Sequence, residues 1–503
     1  MAKSSASKEM PTDPVIVIGA GMGGLAAAIS LAARKIPVVL LERHPRPGGK
    51  MRQVFVAAQG IDSGPTVFTM RWVFESLFAR AGLKLEEHLG LDKADLLARH
   101  SWQNSESLDL FATLNQSMQA IAEFASDKDA DNYRKFARKT EAVFNTLDSS
   151  FMRAQRPNPI ALSLQGGLRG MVDMANTQPF VSLWNSLSRD FEDPRLRQLF
   201  ARYATYCGSS PFKAPATLML IAHVEKAGVW MVQGGMQSLA NTLSDTLISL
   251  GGELRFGCGV SRMEVKDKQI VGVHLDNDEF IPAQAVVFNG DTQALAKGLL
   301  GDEATRAASA RAEPSLSAVT RCQYAVTSGY TLAHHTVFFG NDYADEFDSV
   351  FERGSIADRP TVYVCAQDRS GSADTQVADG QHERLFSLVN APARPMSKAQ
   401  RMDAIEKMQD TLNSQGLEIL DEQGKTIVTD PGQFGRLFPA SDGALYGRPT
   451  HGWMGSFKRP GSKSRLKGLY LCGGSVHPGA GVPMATLSGQ LAADRLCKDW
   501  NIE

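Results

Sequence analysis

Four β-branched positions in a row, Val15–Ile18, lead into a glycine cluster of Gly19, Gly21, Gly23 and Gly24. An alanine-rich apolar stretch follows, and then a second short apolar run, Val38–Leu41, closes on the acid Glu42. Brief continuous apolar runs bounded by turn residues predict buried strands, and the longer stretch between them predicts a helix. Further along, residues 73–226 carry few strand signals and are expected to be rich in helix. Strand-like runs return at 253–256, 261–265, 270–275 and 285–289, after a helix that opens near Gly234 and ends at Gly251. A last strand over 468–474 runs into the loop 475–484 and a closing helix that reaches Cys497. No internal repeat or low-complexity tract interrupts this order.

Strand, glycine turn, helix and acid-ended strand form the context in which G-x-G-x-x-G carries meaning. Gly19 permits the sharp turn, Gly21 lets a pyrophosphate approach the backbone, and Gly24 lets the helix pack close to the strand. The unpaired N–H groups and positive dipole end of the helix then face the phosphates. Glu42 is placed to accept hydrogen bonds from an adenosine ribose, and its charge disfavours a 2′-phosphate there. These residues predict a dinucleotide site but do not separate NAD from FAD.

The residues after Glu42 do separate them. Gly48 and Gly49 lie among basic side chains, and Ile61–Val67 supplies a second turn with free N–H groups. A chain using diffusible NAD continues with further βα units at this point, whereas a permanently held FAD needs extra backbone donors near its pyrophosphate and isoalloxazine. With the glycine-rich tail 473–481, FAD is the expected cofactor.

Composition narrows the class. Five hundred and three residues call for two or three structural units. A net charge of −1, from 53 basic and 54 acidic residues, gives no reason to expect nucleic acid. No uncharged apolar run reaches the ~20 residues that span a bilayer, and the polar first dozen residues lack a signal-peptide core. The six cysteines, at 207, 258, 322, 365, 472 and 497, form no C-x-x-C pair, which fits a reducing cytoplasm. Cys472 is expected to be a buried thiol. The ten histidines show no H-E-x-x-H spacing, and the His334–His335 doublet is no metal site by itself, so no metal is expected. Two apolar stretches, 157–174 and 215–222, are open to two readings. They are buried core, or an interfacial patch whose apolar side enters lipid while Arg153, Arg156, Arg169 and Lys213 meet phosphates.

Taken together, Val15–Leu25, Leu41–Arg52, Asp62–Thr69, Gly228–Met236 and the tail Leu469–Ala485 resemble the phytoene desaturase family of FAD-dependent carotenoid desaturases, over nearly the whole chain. The loop His477-Pro478-Gly479 before the closing helix is the most specific of these. Ser63–Val67, Arg202–Pro211, Tyr446–Arg448 with His451 and Gly452, and Val482–Ser488 are similar to the 1-hydroxycarotenoid 3,4-desaturase branch (methoxyneurosporene dehydrogenase). Multi-step phytoene enzymes typically read Gly-Ile-Pro-Gly-Val in the tail, and this chain departs from that.

The resemblance implies an α/β fold with a discontinuous FAD-binding Rossmann-type domain in three parts, 13–72, 226–292 and 463–500. It also implies a helix-rich, membrane-facing region over 73–225 and a substrate domain over 293–462. Glu42 would bind the adenosine ribose, Val260 would touch the adenine side by its backbone, and Lys50 with Gly64, Pro65, Thr66 and Val67 would border the flavin. Gly474, Ser475, Val482, Pro483 and Met484 would line the ribityl chain and ring. Where many flavin oxidases carry Gly-Asp or Gly-Glu the tail has Gly474-Ser475, so Ser475 would replace a carboxylate.

The implied reaction is C3–C4 dehydrogenation of an acyclic 1-hydroxy- or methoxy-carotenoid. The allylic C4 hydrogen leaves as hydride to flavin N5, its charge spread over the polyene, and C3 loses a proton to a base that no residue identifies. The protein contributes an apolar tunnel, placement and water exclusion. A polar partner for the C1 hydroxyl belongs in that tunnel, with Tyr206, His223 and Arg448 as candidates by residue type. Electrons would pass to oxygen or a quinone, and a cytoplasmic protein peripheral to the inner membrane is expected because the substrate lives in lipid. Competing readings are a phytoene-type multi-step desaturase, a flavin amine or porphyrinogen oxidase, and a flavin-free lipid-escort protein, which would have lost the phosphate turn that is intact here.

Overall fold

The computed structural model describes residues 13–158, 167–311, 313–371, 377, 380–420 and 424–502. The opening pattern becomes β1 (Val15–Ile18), α1 (Met22–Ala32) and β2 (Val38–Glu42). Much later the chain adds α2 (Met236–Ser249), β3 (Glu253–Phe256), β4 (Ala285–Phe288), β5 (Leu469–Leu471) and α3 (Val482–Trp500). These strands form a five-stranded sheet in the order β5–β4–β1–β2–β3, with every pair parallel.

Both faces of this sheet are covered, as the unbroken apolar runs require. In β1, Val15 and Val17 enter the core shared with α1, α2 and α3, while Ile16 enters the core on the opposite face. In β2 the alternation repeats: Val38 and Leu40 face one way, Val39 and Leu41 the other. The period of two along each strand thus divides one apolar run between two cores.

Helix α1 is buried along its whole length and packs on α3 at close range. Gly489 makes that possible: a Cβ there would stand 2.0 Å from Gly23 O and 2.9 Å from Ala27 N. Gly24 does the same for the turn, because a Cβ would stand 2.0 Å from Gly19 O. The tail of the chain is thereby locked against its first helix, which closes the discontinuous unit.

A second, eight-stranded sheet runs in the order 418–420, 317–328, 383–391, 362–366, 335–338, 96–101 and 107–111, with 426–429 paired to 317–328. Its last two strands come from the segment expected to be helix-rich. Leu96–Ser101 carries Arg99 and His100, which break an apolar strand pattern. Arg99 is balanced by Asp109 on the neighbouring strand at 2.7 Å, and His100 is buried with Nδ1 3.2 Å from Leu108 O. The expected strands between 253 and 289 appear at 253–256, 260–266, 269–275 and 285–288.

Candidate functional site

At the carboxyl ends of β1, β2 and β4 a single cavity of about 1020 Å³ opens. Parallel sheets place their ligands there. Gly19, Gly21, Glu42, Gly48, Gly49, Lys50, Gly64, Pro65, Thr66, Val67, Val260, Gly474, Ser475, Val482, Pro483 and Met484 all line it. Gly24 does not. It lies behind the turn in the packing role described above.

Helix α1 after Gly21 and α3 after Gly481 begin at this cavity without a side-chain cap, as does the helix Arg71–Arg80 after Met70. Among the other helices, some are capped by Ser126, Ser182, Asp193, Ser397 or Asp430, whereas Leu114–Phe124 and Leu220–Ala227 also start without a side-chain cap. The first N–H groups of an α-helix have no partner inside it, so the glycine-led starts of α1 and α3 at one cavity suit an anion, although Pro483 brings no N–H to the start of α3. Helix α2 begins differently, since Asp62 accepts from Met236 N at 2.5 Å and from Gln237 N at 3.4 Å. Burial raises the Asp62 carboxyl above its ordinary value, and these two N–H groups oppose that shift.

Glu42 is buried and accepts from Ala20 N at 2.7 Å and His44 N at 2.8 Å, one bond on each oxygen. Each oxygen keeps a further lone pair for a ribose hydroxyl. The Ser475 hydroxyl is engaged elsewhere: it accepts from Thr292 N at 3.1 Å and donates to Gly290 O at 3.3 Å, tying the tail to the end of β4. The Lys50 ammonium donates to Leu445 O, and burial pushes it down to about 8, with Asp291 pulling it up and Arg311 and Arg459 pushing it further down. The residues therefore fit a dinucleotide with a pyrophosphate at the turn: glycine backbone, two free helix starts, a ribose acceptor and a lysine.

Sequence reasoning missed Asn289. Its Nδ2 donates to Gly19 O at 3.0 Å, and its side chain fills the space that Cβ atoms on Gly21, Gly23 and Gly473 would occupy. The available signal was its position, one residue past β4 at the ligand-binding edge of a parallel sheet.

The remaining walls are largely apolar, with Leu147, Phe151, Leu218, Ile221 and Val224 from the helical region and Val337, Phe386 and Leu388 from the second sheet. One buried polar cluster interrupts them. Tyr206 and Tyr203 donate to the two oxygens of Glu225 at 2.6 Å each, and Arg202 Nη1 donates to the Tyr206 oxygen at 3.0 Å. Arg202, Tyr206 and Glu225 line the cavity, and Arg202 Nε has no hydrogen-bond partner among the described residues. Burial, with Glu225 beside it, holds the Tyr206 phenol well above its ordinary value despite the opposing Arg202 charge, so the phenol stays protonated. Of the three hydroxyl-reading candidates, Tyr206 is in this cluster. His223 is outside the cavity lining, and Arg448 lines a separate cavity. Arg202 opens a segment similar to the 1-hydroxycarotenoid branch, but neither it nor Glu225 was among the hydroxyl-reading candidates, because nothing in the sequence shows that Glu225 folds back onto Tyr203 and Tyr206.

Behind Thr66, the Tyr363 hydroxyl lies 2.6 Å from Thr66 Oγ1 and 2.7 Å from His335 Nδ1. The structure adds Cys365 to the histidine doublet: ligand atoms of His334, His335 and Cys365 lie within 4.8 Å of one another. His334 Nδ1 is 2.6 Å from Arg369 O, and its Nε2 is 3.4 Å from Cys365 Sγ. Burial pushes His334 down to about 4 and the Cys365 thiol up to about 12. A neutral thiol and neutral imidazoles thus brace the Thr66 loop. Cys472 is fully buried, and burial raises its thiol.

The stretch 215–222 folds as core and cavity wall: Ala216, Leu218 and Met219 are buried, and Leu218, Leu220 and Ile221 face the cavity. Of the two readings open for this stretch, buried core is the one the structure shows. Lys213 pairs with Glu352, and Arg153 pairs with Asp148 at 2.9 Å while covering the Trp72 ring. Of the stretch 157–174, residues 159–166 and the side chain of Arg169 lie outside the described residues. No helix among the described residues is long and apolar enough to cross a membrane.

A parallel nucleotide sheet joined to a long apolar cavity defines an oxidoreductase built around a bound dinucleotide. The chain belongs to the flavin-containing amine oxidoreductase family, whose sequence pattern matches residues 22–497, and within it to the carotenoid desaturases. It is similar to the hydroxyneurosporene desaturase of Rubrivivax gelatinosus, 49% identical over 97% of this chain and 94% of that protein. The hydroxyneurosporene desaturase of Cereibacter sphaeroides is 41% identical over 96% of this chain and 97% of that protein. The crystal structure of an oxidoreductase from Methanosarcina mazei shares the fold, with a TM-score of 0.60 at 16% identity, over 95% of this chain and 98% of that one.

Proposed function

We propose that this protein is an FAD-dependent desaturase that removes hydrogen across C3–C4 of an acyclic 1-hydroxy- or methoxy-carotenoid. What carries the reading is the joining of two features in one cavity: free helix starts suited to a pyrophosphate, and an apolar wall interrupted by Arg202, Tyr206 and Glu225. The similarity to two hydroxyneurosporene desaturases over nearly their full lengths supports the same substrate class. In this reading 13–72, 226–292 and 463–500 hold FAD, and 73–225 with 293–462 enclose the polyene.

When bound, FAD supplies the acceptor for the hydride that leaves C4. Gly21, Met22 and Gly23 would hold the pyrophosphate on N–H groups at the helix start, Gly19 supplies the turn while its own N–H donates to Leu41 O, and Glu42 would hold the ribose. Lys50, Gly64–Val67, Gly474, Ser475 and Val482–Met484 position the ring system, with the hydrogen bond between Thr66 and Tyr363 fixing their loop. The apolar wall excludes water and aligns the chain, so the barrier falls by placement. At the substrate's polar end the Arg202, Tyr206 and Glu225 cluster lines the cavity, where the Arg202 guanidinium would donate to the hydroxyl or ether oxygen and a hydroxyl would donate to Glu225. Oxygen or a quinone removes the electrons.

A membrane surface is the source of such a substrate, and the cavity rim fits one. Phe180 is 78% exposed and packs on Trp453, itself 46% exposed, at 5.4 Å between rings. Trp453 and Pro179 line the cavity, so the exposed pair stands at its mouth.

The direct test supplies 1-hydroxyneurosporene and phytoene to a host expressing the protein and analyses the products. Conversion of the hydroxylated carotenoid with phytoene untouched is the expected result, and phytoene conversion alone would refute the substrate assignment. Deuterium at C4 should also slow flavin bleaching in an anaerobic single turnover.

A further inference from the structure

Beside the main cavity lies a smaller one, of about 330 Å³, whose chemistry is the opposite. Arg156, Arg306, Arg311, Arg448, Lys458, Arg459, Lys463 and Arg465 line it, against the single carboxylate of Asp291. Asp291 is already committed to Arg311, at 3.2 Å, with both side chains almost fully buried. Lys463 is paired with Asp499 at 3.0 Å, and Glu313, the acid whose charge Lys458 feels, is held by His451 at 3.2 Å. Arg156, Arg306, Arg448, Lys458 and Arg465 have no carboxylate within ion-pair distance among the described residues. The undescribed residues next to this lining in sequence, 159–166 and 312, contain no acid.

This concentration of charge is built into the fold. Arg459 is 6% exposed and donates to the carbonyls of Tyr446 and Gly474 at 3.1 and 3.0 Å and to that of Arg448 at 2.8 Å. It therefore fixes the loop that carries Arg448. Burial, with Arg311 beside it, makes the Arg448 charge harder to hold. Unpaired guanidinium groups gathered in a concave space repel one another and cost stability, and their planar donor forks match the oxygens of a phosphate. The glycine turn is absent from this lining, so the dinucleotide's pyrophosphate does not account for it.

We propose that this second cavity binds a phosphate-bearing ligand: a phosphate or pyrophosphate ester in solution, or the phosphodiester headgroup of an anionic lipid. The two cavities share Phe457, Arg459, Asp291 and Ser475, so an occupant would sit one residue layer from the main chamber.

The test uses purified protein carrying its flavin and measures binding, so its failure is separable from failure of the desaturase reading. Inorganic pyrophosphate is titrated in by calorimetry, and flotation is measured with vesicles of phosphatidylcholine alone or with added phosphatidylglycerol. Saturable pyrophosphate binding that weakens at least about tenfold in R448Q/R465Q, and not in the surface control R255Q, supports a soluble phosphate ester. Indifference to pyrophosphate, with flotation that needs phosphatidylglycerol and is lost in the double variant, supports the lipid headgroup. Should the double variant fail to fold, the exposed single variants R306Q and R465Q carry the same comparison. No binding of either probe, or binding that R448Q/R465Q leaves unchanged, overturns the proposal.

Discussion

At the polar end of the main cavity, Tyr206 and Tyr203 donate to Glu225, and Arg202 donates to Tyr206. A buried hydrogen bond to a charged group contributes about 1.5–3 kcal/mol. E225Q and Y206F should therefore each lower kcat/KM for the hydroxylated carotenoid by about 10–100-fold, and hardly change that for its non-hydroxylated analogue. A parallel loss on both substrates would show that the cluster only supports the fold. Lys50 gives a pH signature. Its pKa of about 8 in the folded protein lies below the ordinary 10.5, so between those values the unfolded chain binds more protons and stability rises with pH. A bound anion favours the ammonium. Above pH 8 FAD binding must then take up a proton, and affinity should fall by up to about tenfold per pH unit. Titrating flavin-stripped protein with FAD by fluorescence measures this, and K50M should give a flat profile. Lys50 was named in advance through the family resemblance of its segment, and the structure places it in the cavity lining. Glu225, Arg202 and Asn289 were not site candidates, because strand and helix placement across more than two hundred residues brings them to the site.

Between α1 and α3 the spacing is set by Gly489, whose missing side chain leaves room for Gly23 O. G489A forces the closing helix away from the first one, an overpacking cost of about 1–3 kcal/mol. Because both helix starts face the same cavity, the displacement should lower the melting temperature and reduce flavin content together. Absorbance of the purified variant at flavin wavelengths, beside a thermal melt, checks both. A lower melting temperature with full flavin content would mean that the two helix starts do not jointly hold the cofactor. Elements of this kind were readable in advance: β1 and β2 are continuous apolar runs bounded by turn residues, α1 is the longer alanine-rich stretch between them, and the strands between 253 and 289 are short apolar runs between turn residues. The strands 96–101 and 107–111 were not, since Arg99 and Asp109 neutralise each other only once the strands are paired. The stretch 215–222 was ambiguous for a related reason: an apolar run facing lipid and one facing an internal cavity have the same composition.

Over the whole molecule, the proposed apolar rim and a basic cavity holding a lipid headgroup would meet a membrane by different physics, and they predict different dependences. Phe180 and Trp453 at the cavity mouth would enter the acyl boundary of any bilayer, whatever its charge. Burying one large aromatic or aliphatic side chain contributes about 1.5–3 kcal/mol, so F180S/W453S should reduce partitioning at least about tenfold onto phosphatidylcholine and phosphatidylglycerol vesicles alike. Charge-driven attachment would respond to salt and to phosphatidylglycerol content, because exposed charges are screened beyond a Debye length of about 8 Å at physiological ionic strength. Flotation of the wild type and F180S/W453S across both lipid compositions and two salt concentrations resolves the two contributions. Where the basic cavity takes a lipid headgroup, the aromatic variant keeps a residual, salt-sensitive attachment to phosphatidylglycerol; where it takes a soluble phosphate ester, no such attachment remains. If F180S/W453S floats as well as the wild type on both lipids, the mouth of the cavity does not face the bilayer, and the polyene must reach the chamber by another route.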